Sequence, residues 1–275
     1  MNILILANKD LASNHALNLL LPQIKQHKVT LCLSAKVGGN NPNKPTELNR
    51  LTFFEQDLFN NLLTPALEAN CVSESINANE NKLYKTFDQL NCYLSQPVQE
   101  LNKINQPEQL QMVAELKPDL IVCIRYGVIL KEQVLAIPSK GTINLHSGIL
   151  PDYRGVMATF WAMYHKEPQI GTTLHYIDDA NIDTGNVIAT STLAVDYEKS
   201  YLWNVLQLYV HGVQLILNTI NALASDQVIT KSVQTGEGQY FTFPTTDDLA
   251  VFADNGHSLV DETEITEFIT EHFLS

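Results

Sequence analysis

An amide, an imidazole and a carboxylate stand at three positions of this 275-residue chain where their chemistry could be combined. Asn144 and His146 are separated by one residue beside an apolar run, so in an extended strand both side chains would point to one face. Asp183 follows in an Asp-Thr-Gly turn, where Gly185 permits a tight backbone path into a strand. We therefore expect the three side chains to face one pocket.

These are the groups needed to move a formyl or other acyl carbon onto an amine. The Asn144 amide can donate a hydrogen bond to the oxyanion that forms on attack, which contributes about a hundred- to a thousand-fold in rate. Neutral His146 can accept the proton that the amine loses, which contributes about a hundred- to ten-thousand-fold. Asp183 would orient the ring and stabilise its protonated form. Asp178 and Asp179 are alternatives for this carboxylate, or they stabilise the loop.

Each of these signals is weak alone, because Asn-x-His in a strand is usually a satisfied polar pair and Asp-x-Gly is usually a turn. Together they match a family. The sequence Asn-Leu-His-Ser-Gly-Ile-Leu-Pro-Asp-Tyr-Arg-Gly from Asn144, Gly-Thr-Thr-Leu-His from Gly171 and Asp-Thr-Gly from Asp183 resembles the folate-dependent formyltransferases. That family includes enzymes acting on glycinamide ribonucleotide, methionyl-tRNA and amino sugars. The resemblance is strong over residues 118–188, and over the first hundred residues it rests only on the strand–helix pattern.

The resemblance implies that 10-formyltetrahydrofolate is the formyl donor and that Asn144, His146 and Asp183 are the catalytic trio. It implies that one segment lines the pterin pocket, largely through backbone groups: Arg125, Tyr126, Gly127, Val128, Ile129 and Leu130. The loop over residues 176–183 would close the other side, with Tyr176 and Asp179 as its cofactor-binding residues. Four residues of the central motif are assigned to the acceptor: Ser147, Gly148, Tyr153 and Arg154.

Two features of the sequence bear on the nature of the acceptor: the residues that follow His146 and the net charge of the chain. Many family members carry His-Pro-Ser or His-Gly-Ser before Leu-Leu-Pro, whereas this chain has Ser-Gly-Ile-Leu-Pro after His146, which resembles some nucleotide-sugar N-formyltransferases. The net charge is −13, and residues 226–275 contain ten Asp or Glu and one Lys, so this surface would repel a nucleic-acid backbone. We expect a nucleotide-linked amino sugar as acceptor and no nucleic-acid partner.

Three basic residues are candidate contacts for the acceptor's phosphates: Arg154, Lys9 and Lys36. Three aromatic residues either fill the core or stack on a base: Trp161, Tyr164 and Trp203.

Three classes of function stay open at this point. The chain could be an N-formyltransferase for this or another amine, such as glycinamide ribonucleotide or methionyl-tRNA. It could be a 10-formyltetrahydrofolate hydrolase, which passes the formyl group to water. It could also be a binding module without catalysis, although the complete trio argues against this.

Strand and helix patterns alternate along the chain, which is typical of an α/β fold with an open, mostly parallel sheet flanked by helices. Strands are predicted at residues 3–7, 29–33, 119–124, 142–145, 171–177 and 187–195, and helices at residues 11–21, 51–69, 107–116 and 157–164. Residues 36–49 are expected to form an irregular loop. The Gly-x-Gly-x-x-Gly and Gly-Lys-Ser/Thr fingerprints of nucleotide binding are absent.

The predicted organisation is a catalytic domain over residues 1–198 and a small C-terminal α+β extension over residues 199–275. Apolar residues at helical spacing predict a long helix over residues 200–224 with Ser200 as its N-cap. Residues 228–233 and 239–243 are expected to pair as a hairpin, and a last helix is expected over residues 262–273. The apolar surface of this extension suggests a homodimer.

No stretch approaches the length of a membrane span, and the first apolar run lacks a basic leader. We therefore expect a cytoplasmic protein without a membrane partner. The four cysteines show no paired ligand spacing, so no metal site is expected.

Overall fold

A computed structural model describes residues 1–35, 44–71 and 83–274, and its centre is a seven-stranded sheet. The strand order is β3-β2-β1-β4-β5-β7-β8. Strands β1 to β5 pair in parallel, while β7 is antiparallel to both β5 and β8. The bounds of the sheet strands are β1 Asn2–Asn8, β2 Lys28–Ser34, β3 Gln99–Glu100, β4 Leu120–Ile124, β5 Thr142–His146, β7 Gln169–Tyr176 and β8 Val187–Ala194. This confirms the predicted fold class.

Helices cover both faces of the sheet. Successive residues of β1 alternate between two apolar clusters, so Ile3 and Ile5 join the cluster that contains Leu206, while Leu4 and Leu6 join the cluster that contains Val113. The helices are α1 Leu11–Leu20, α2 Leu48–Thr52, α3 Thr64–Cys71, α4 Pro107–Leu116, α5 Glu132–Leu135, α6 Ala158–Tyr164, α7 Tyr201–Ala224, α8 Thr246–Asp254 and α9 Glu262–Ile269. Short 3-10 turns lie at Leu21–Gln23 and Gln89–Tyr93, and π-helical turns at Phe53–Leu63 and Thr270–Leu274.

The strongest helix predictions are confirmed with small shifts at their ends. Ser200 caps α7 by accepting a hydrogen bond from the Trp203 N–H at 3.2 Å, as an N-cap serine does. α1 starts after Asp10, whose carboxylate accepts from the Ser13 N–H at 2.7 Å. The predicted helix over residues 51–69 is longer, because α2, the π-helical segment and α3 are continuous from Leu48 to Cys71. The expected loop over residues 36–49 therefore ends earlier, and residues 36–43 lie outside the described part.

The predicted C-terminal hairpin is wrong. Residues 228–233 form no strand and make only an antiparallel bridge between Ser232 and Val187. β9 (Tyr240–Phe241) instead pairs in parallel with β6 (Arg154–Gly155). Both segments find their partners far back in the chain, so residues 232–241 are bonded to residues 154–155 and 187. The terminal helix is confirmed, and α8 precedes it unpredicted.

The long helix α7 packs on the sheet and on α1. Its apolar residues Leu202, Leu206 and Tyr209 are fully buried within the chain. The inner face of α7 is therefore covered by the chain itself, whereas Val210 on this helix and Val228 and Val233 after it are exposed. The homodimer stays a prediction. Within the described ranges, no helix combines the length and apolarity needed to cross a bilayer.

Candidate active site

Strand β5 presents Asn144 and His146 at its carboxyl end. The strand is central, pairing with β4 on one side and β7 on the other, and His146 is its last residue. The predicted i, i+2 relation is confirmed by this strand geometry. Asn144 is half-buried, and His146 is buried.

Asp183 lies in the turn between β7 and β8 and reaches back to β5. One carboxylate oxygen, Oδ2, is 3.4 Å from Nδ1 of His146 and accepts a hydrogen bond from the Gly155 N–H at 2.9 Å. The turn puts Asp183 in the left-handed region with φ 56°. Gly185 has no room for a side chain, because a Cβ atom there would lie 1.8 Å from the Tyr176 carbonyl oxygen. The structure thus brings the three predicted side chains together.

A fourth polar residue, His175, completes the cluster. It pairs across the sheet with Asn144, and its Nε2 lies 3.1 Å from Asn144 Nδ2 and 3.5 Å from Asp183 Oδ1. Its Nδ1 is 2.8 Å from the Tyr176 carbonyl oxygen, which can only accept, so Nδ1 carries the proton. In the neutral ring, Nε2 then accepts from the Asn144 amide and fixes its orientation. The sequence motif that ends in His175 is recognisable, but it predicts no role for this residue, because it does not show the register of β5 against β7.

His146 is held at both ring nitrogens. Nε2 lies 2.6 Å from the Tyr153 carbonyl oxygen and therefore carries a proton, which leaves Nδ1 facing Asp183. Gly148 is pressed against this ring, since a Cβ atom there would lie 2.7 Å from His146 Nε2. When the ring takes a second proton, it can donate to the carbonyl and the carboxylate together.

The carboxylate of Asp183 stays ionised at neutral pH. Burial alone would raise its pKa, but the charge of His146, the contact with His175 and the Gly155 N–H lower the pKa from 3.8 to about 2. A permanently negative group therefore stands beside the imidazole that is proposed to gain a proton.

The segment predicted to line a pterin pocket leaves β4 at the same sheet edge as His146, because Ile124 is in register with Leu145. The Arg125 guanidinium is turned inward, where it pairs with Asp10 and Glu55 at 2.9 Å each. Burial would lower the pKa of Arg125, but these carboxylates keep it above its usual range.

Other side chains of this segment also belong to the protein interior. The Tyr126 hydroxyl donates to the Leu101 carbonyl at 2.5 Å, the Gly127 N–H donates to Ser34 Oγ at 2.9 Å, and Leu130 is buried. Val128 is half-buried, and Ile129 is 54% exposed at this edge. Any contact to a ligand by this segment would come from its main chain and these two side chains.

The loop after β7 holds its own acidic residues. Asp179 accepts from the main chain and side chain of Asn181 at 2.7 and 2.9 Å, and Asp178 accepts from Asn186. Both alternatives to Asp183 therefore act in loop structure. Tyr176 is half-buried, with the Lys231 ammonium 5.2 Å from its ring centre.

The residues assigned to an acceptor lie around Gly148, and the side chains of two of them, Tyr153 and Arg154, have partners within the chain. The Tyr153 hydroxyl donates to Glu167 at 2.9 Å, and Arg154 donates to the Glu237 carbonyl at 3.0 Å. The Ser147 carbonyl accepts from Thr159. Phe241 stacks between the Tyr153 and Trp161 rings, at centroid distances of 5.6 and 4.9 Å.

Two lysines and three aromatic residues remain as candidates for phosphate or base contact. Lys9 lies 3.8 Å from Glu100, and Lys36 lies outside the described residues. Tyr164 packs against Phe160, and Trp203 is half-buried on α7 beside Lys199. Together with the stacking of Trp161, these contacts favour the core role for Trp161 and Tyr164, whereas Trp203 contacts a lysine.

A family model described as formyl transferase matches residues 55–202. A methionyl-tRNA formyltransferase of Thermodesulfovibrio yellowstonii is 32% identical over 151 residues, covering 55% of this chain and 48% of that protein. Another, from Desulforamulus reducens, is 35% identical over 130 residues, covering 47% of this chain and 41% of that protein. The chain thus spans about half the length of the curated relatives it matches.

Solved structures with this fold include a sugar N-formyltransferase from Shewanella, with a TM-score of 0.55 and 14% identity, covering 90% of this chain and 78% of that one. An N-formyltransferase from Helicobacter canadensis, solved with folinic acid and dTDP-3-aminofucose, has a TM-score of 0.54 and 19% identity over 90% and 72% of the chains. A phosphoribosylglycinamide formyltransferase from Anaplasma phagocytophilum has a TM-score of 0.54 and 16% identity over 87% and 96%. At these identities, the likeness concerns the fold.

Proposed function

The chain belongs to the formyl transferase family, and on that premise we propose that it transfers a formyl group from 10-formyltetrahydrofolate to the primary amine of a nucleotide-linked amino sugar. The observation that carries this proposal is the convergence of Asn144, His146 and Asp183, with 3.4 Å between His146 Nδ1 and Asp183 Oδ2.

Each member of the trio has a defined task in this reaction. The amine nitrogen bonds to the formyl carbon, and the carbonyl electron pair moves to oxygen, where the Asn144 N–H not engaged by His175 can donate. The amine proton passes to His146 Nδ1, the ring nitrogen without a proton, and Asp183, 3.4 Å from that nitrogen, stabilises the imidazolium. The bond between the formyl carbon and the donor nitrogen then breaks, and His146 returns the proton to that nitrogen.

The sheet edge beside the trio suits a folate donor. The segment after β4 and the end of β5 lie at the carboxyl ends of neighbouring parallel strands, the edge at which open α/β sheets bind ligands. Ile129 adds an exposed apolar side chain there. A flat, amide-rich pterin needs such apolar surface together with main-chain donors and acceptors.

Charge and motif support a small, phosphate-bearing acceptor. The last fifty residues are strongly acidic, and β9 brings part of them beside Arg154. This negative surface opposes a polyanion such as tRNA at long range, while a single diphosphate could still reach a local arginine. Methionyl-tRNA is the second candidate, because the curated relatives reported above are methionyl-tRNA formyltransferases.

A comparison of acceptors tests the proposal. Purified protein is incubated with 10-formyltetrahydrofolate alone, with nucleotide-linked amino sugars, with glycinamide ribonucleotide and with methionyl-tRNA, and tetrahydrofolate release and N-formyl product are measured. We expect release that depends on an amino sugar. Formylation of methionyl-tRNA alone would replace the proposed acceptor, and acceptor-independent release would identify a hydrolase.

Two further properties are proposed alongside the reaction. We propose that the protein is cytoplasmic and that it forms a homodimer. Sedimentation at micromolar concentration tests the second of these, and a monomer mass would contradict it.

A further inference from the structure

We infer that Gln234 is a positioning residue that holds the Asp183 turn in the geometry required for formyl transfer, an inference that rests on the proposed function. Gln234 lies outside the residues matched by the family model. It belongs to the segment over residues 232–243 that crosses the site, which we call the strap.

The contacts of Gln234 are specific. Its Nε2 donates to the carbonyl oxygens of both Asp183 and Gly185, at 2.8 Å each. One carboxamide therefore spans the turn with both of its N–H groups, and the side chain is half-buried there.

The turn is one that requires support. Asp183 has φ 56°, a left-handed conformation that is uncommon outside glycine, although aspartate adopts it more readily than most residues. Gly185 passes so close to Tyr176 that only glycine fits. The loop is fastened on its far side by Asp178 and Asn186, and Gln234 supplies two bonds directly to the turn.

The strap is itself fixed to the sheet close to Gln234. Ser232 and Val187 exchange two main-chain hydrogen bonds of 2.8 Å. Further along, the Arg154 N–H donates to the Gln239 carbonyl at 2.9 Å. Gln234 thus acts from a segment anchored on both sides of the turn.

The consequence for the reaction is indirect. Gln234 touches neither His146 nor His175, but it holds the backbone of the residue whose carboxylate faces both rings. A displacement of that carboxylate would weaken its stabilisation of the protonated His146 ring, while the donor and acceptor surfaces persist. Loss of Gln234 should therefore lower kcat and leave KM largely unchanged.

The test uses Gln234→Met, which keeps the length of the side chain without its donors, and Gln234→Glu, which keeps its shape and presents a carboxylate to the two carbonyls. Gln227→Glu is the matched control, since Gln227 is exposed on the same stretch of chain and makes no side-chain hydrogen bond within the described part. Steady-state formylation and the imidazole ¹⁵N signals of His146 and His175 are measured for each protein.

We expect kcat to fall at least about tenfold in both Gln234 variants, with KM changed less than about twofold, because small misplacements of catalytic groups are costly. The ring signals of His146 and His175 should shift in these variants and not in the control. Should Gln234→Met fail to fold, Gln234→Glu decides. Unaltered kcat or unaltered ring signals overturn the inference. Wild-type protein that forms no N-formyl product refutes the proposed function instead, and the ring signals still report on the turn.

Discussion

Asn144 and His146 owe their shared direction to a single strand, and each has a separable chemical task. We expect Asn144→Ala and His146→Ala each to lower kcat at least about a hundredfold, because one loses the oxyanion donor and the other the proton acceptor. Steady-state kinetics measures the change, and circular dichroism verifies the fold. His211→Ala is the control, because His211 is an exposed histidine on α7. Near-normal turnover in either variant would remove the role given to that residue.

The Asp183 carboxylate is expected to affect both kcat and the pH dependence of the free energy of unfolding. We expect Asp183→Asn to lower kcat more than it changes the KM of the acceptor, since the carboxylate supports a proton on His146. Because the folded-state pKa is lowered from 3.8 to about 2, the carboxylate contributes to the free energy of unfolding above pH 3.8 and loses that contribution as pH falls towards about 2. This amounts to about 2 kcal/mol at neutral pH.

Urea unfolding of wild type and Asp183→Asn at several pH values measures this contribution. The difference between the two proteins should be largest above pH 4 and shrink below it. A difference that stays constant through this range would contradict the lowered pKa.

At the residue scale, the sequence predicts the trio because its members belong to recognisable local motifs. It does not predict that His175 orients the Asn144 amide, since this depends on the register of β5 against β7. It also does not predict that Arg125 is used in the interior, since Asp10 and Glu55 approach it only in the folded chain. Local motifs are visible in sequence, but their tertiary partners are not.

At the element scale, α7 packs closely on the sheet at Gly212. A Cβ atom there would lie 3.0 Å from both Leu145 Cδ2 and Thr172 Oγ1, so a branched side chain must displace these side chains of β5 and β7. We expect Gly212→Val to lower the free energy of unfolding by about 1–3 kcal/mol, the usual cost of overpacking. Denaturant unfolding measures it, with Asn221→Val on the exposed face of the same helix as control. Equal effects in both variants would point to helix propensity rather than packing.

The elements predicted correctly have a strong periodic signal of their own. The helix over residues 200–224 and the buried strands carry enough apolar residues to be recognised locally. β9 has only two residues, and its partner β6 lies far away in the sequence, so no local pattern contains that pairing. The hairpin prediction failed because it assumed that neighbouring strand-like segments pair with each other.

At the scale of the whole molecule, the buried His15 side chain near the N-terminus packs against aromatic rings near the C-terminus. His15 on α1 lies 5.2 Å from the Phe268 ring and 5.8 Å from the His272 ring, with Tyr84 at 5.5 Å. Burial, and then the charge of His272, lower the pKa of His15 from 6.5 to about 3. The folded protein therefore excludes a proton that the unfolded chain binds.

The lowered pKa of His15 makes the free energy of unfolding depend on pH. The contribution of neutral His15 to the free energy of unfolding is complete above pH 6.5 and is lost as pH falls towards about 3, at up to about 1.4 kcal/mol per pH unit. We expect wild type to lose stability between pH 6.5 and 4.5, before Asp183 titrates, and His15→Leu to lose less. Urea midpoints at pH 7.5 and 4.5 measure this, and parallel losses in both proteins would contradict it.

The strap limits how far the chain can be shortened from its C-terminal side. Its Gln239 carbonyl, Phe241 ring and Gln234 amide fasten the central motif and the Asp183 turn from beyond α7. A fragment that ends with the family match at residue 202 would retain Asn144, His146 and Asp183, but it would lose the strap together with almost all of α7, which packs on the sheet. The residues that hold the site in place therefore extend beyond the part of the chain that the family model matches.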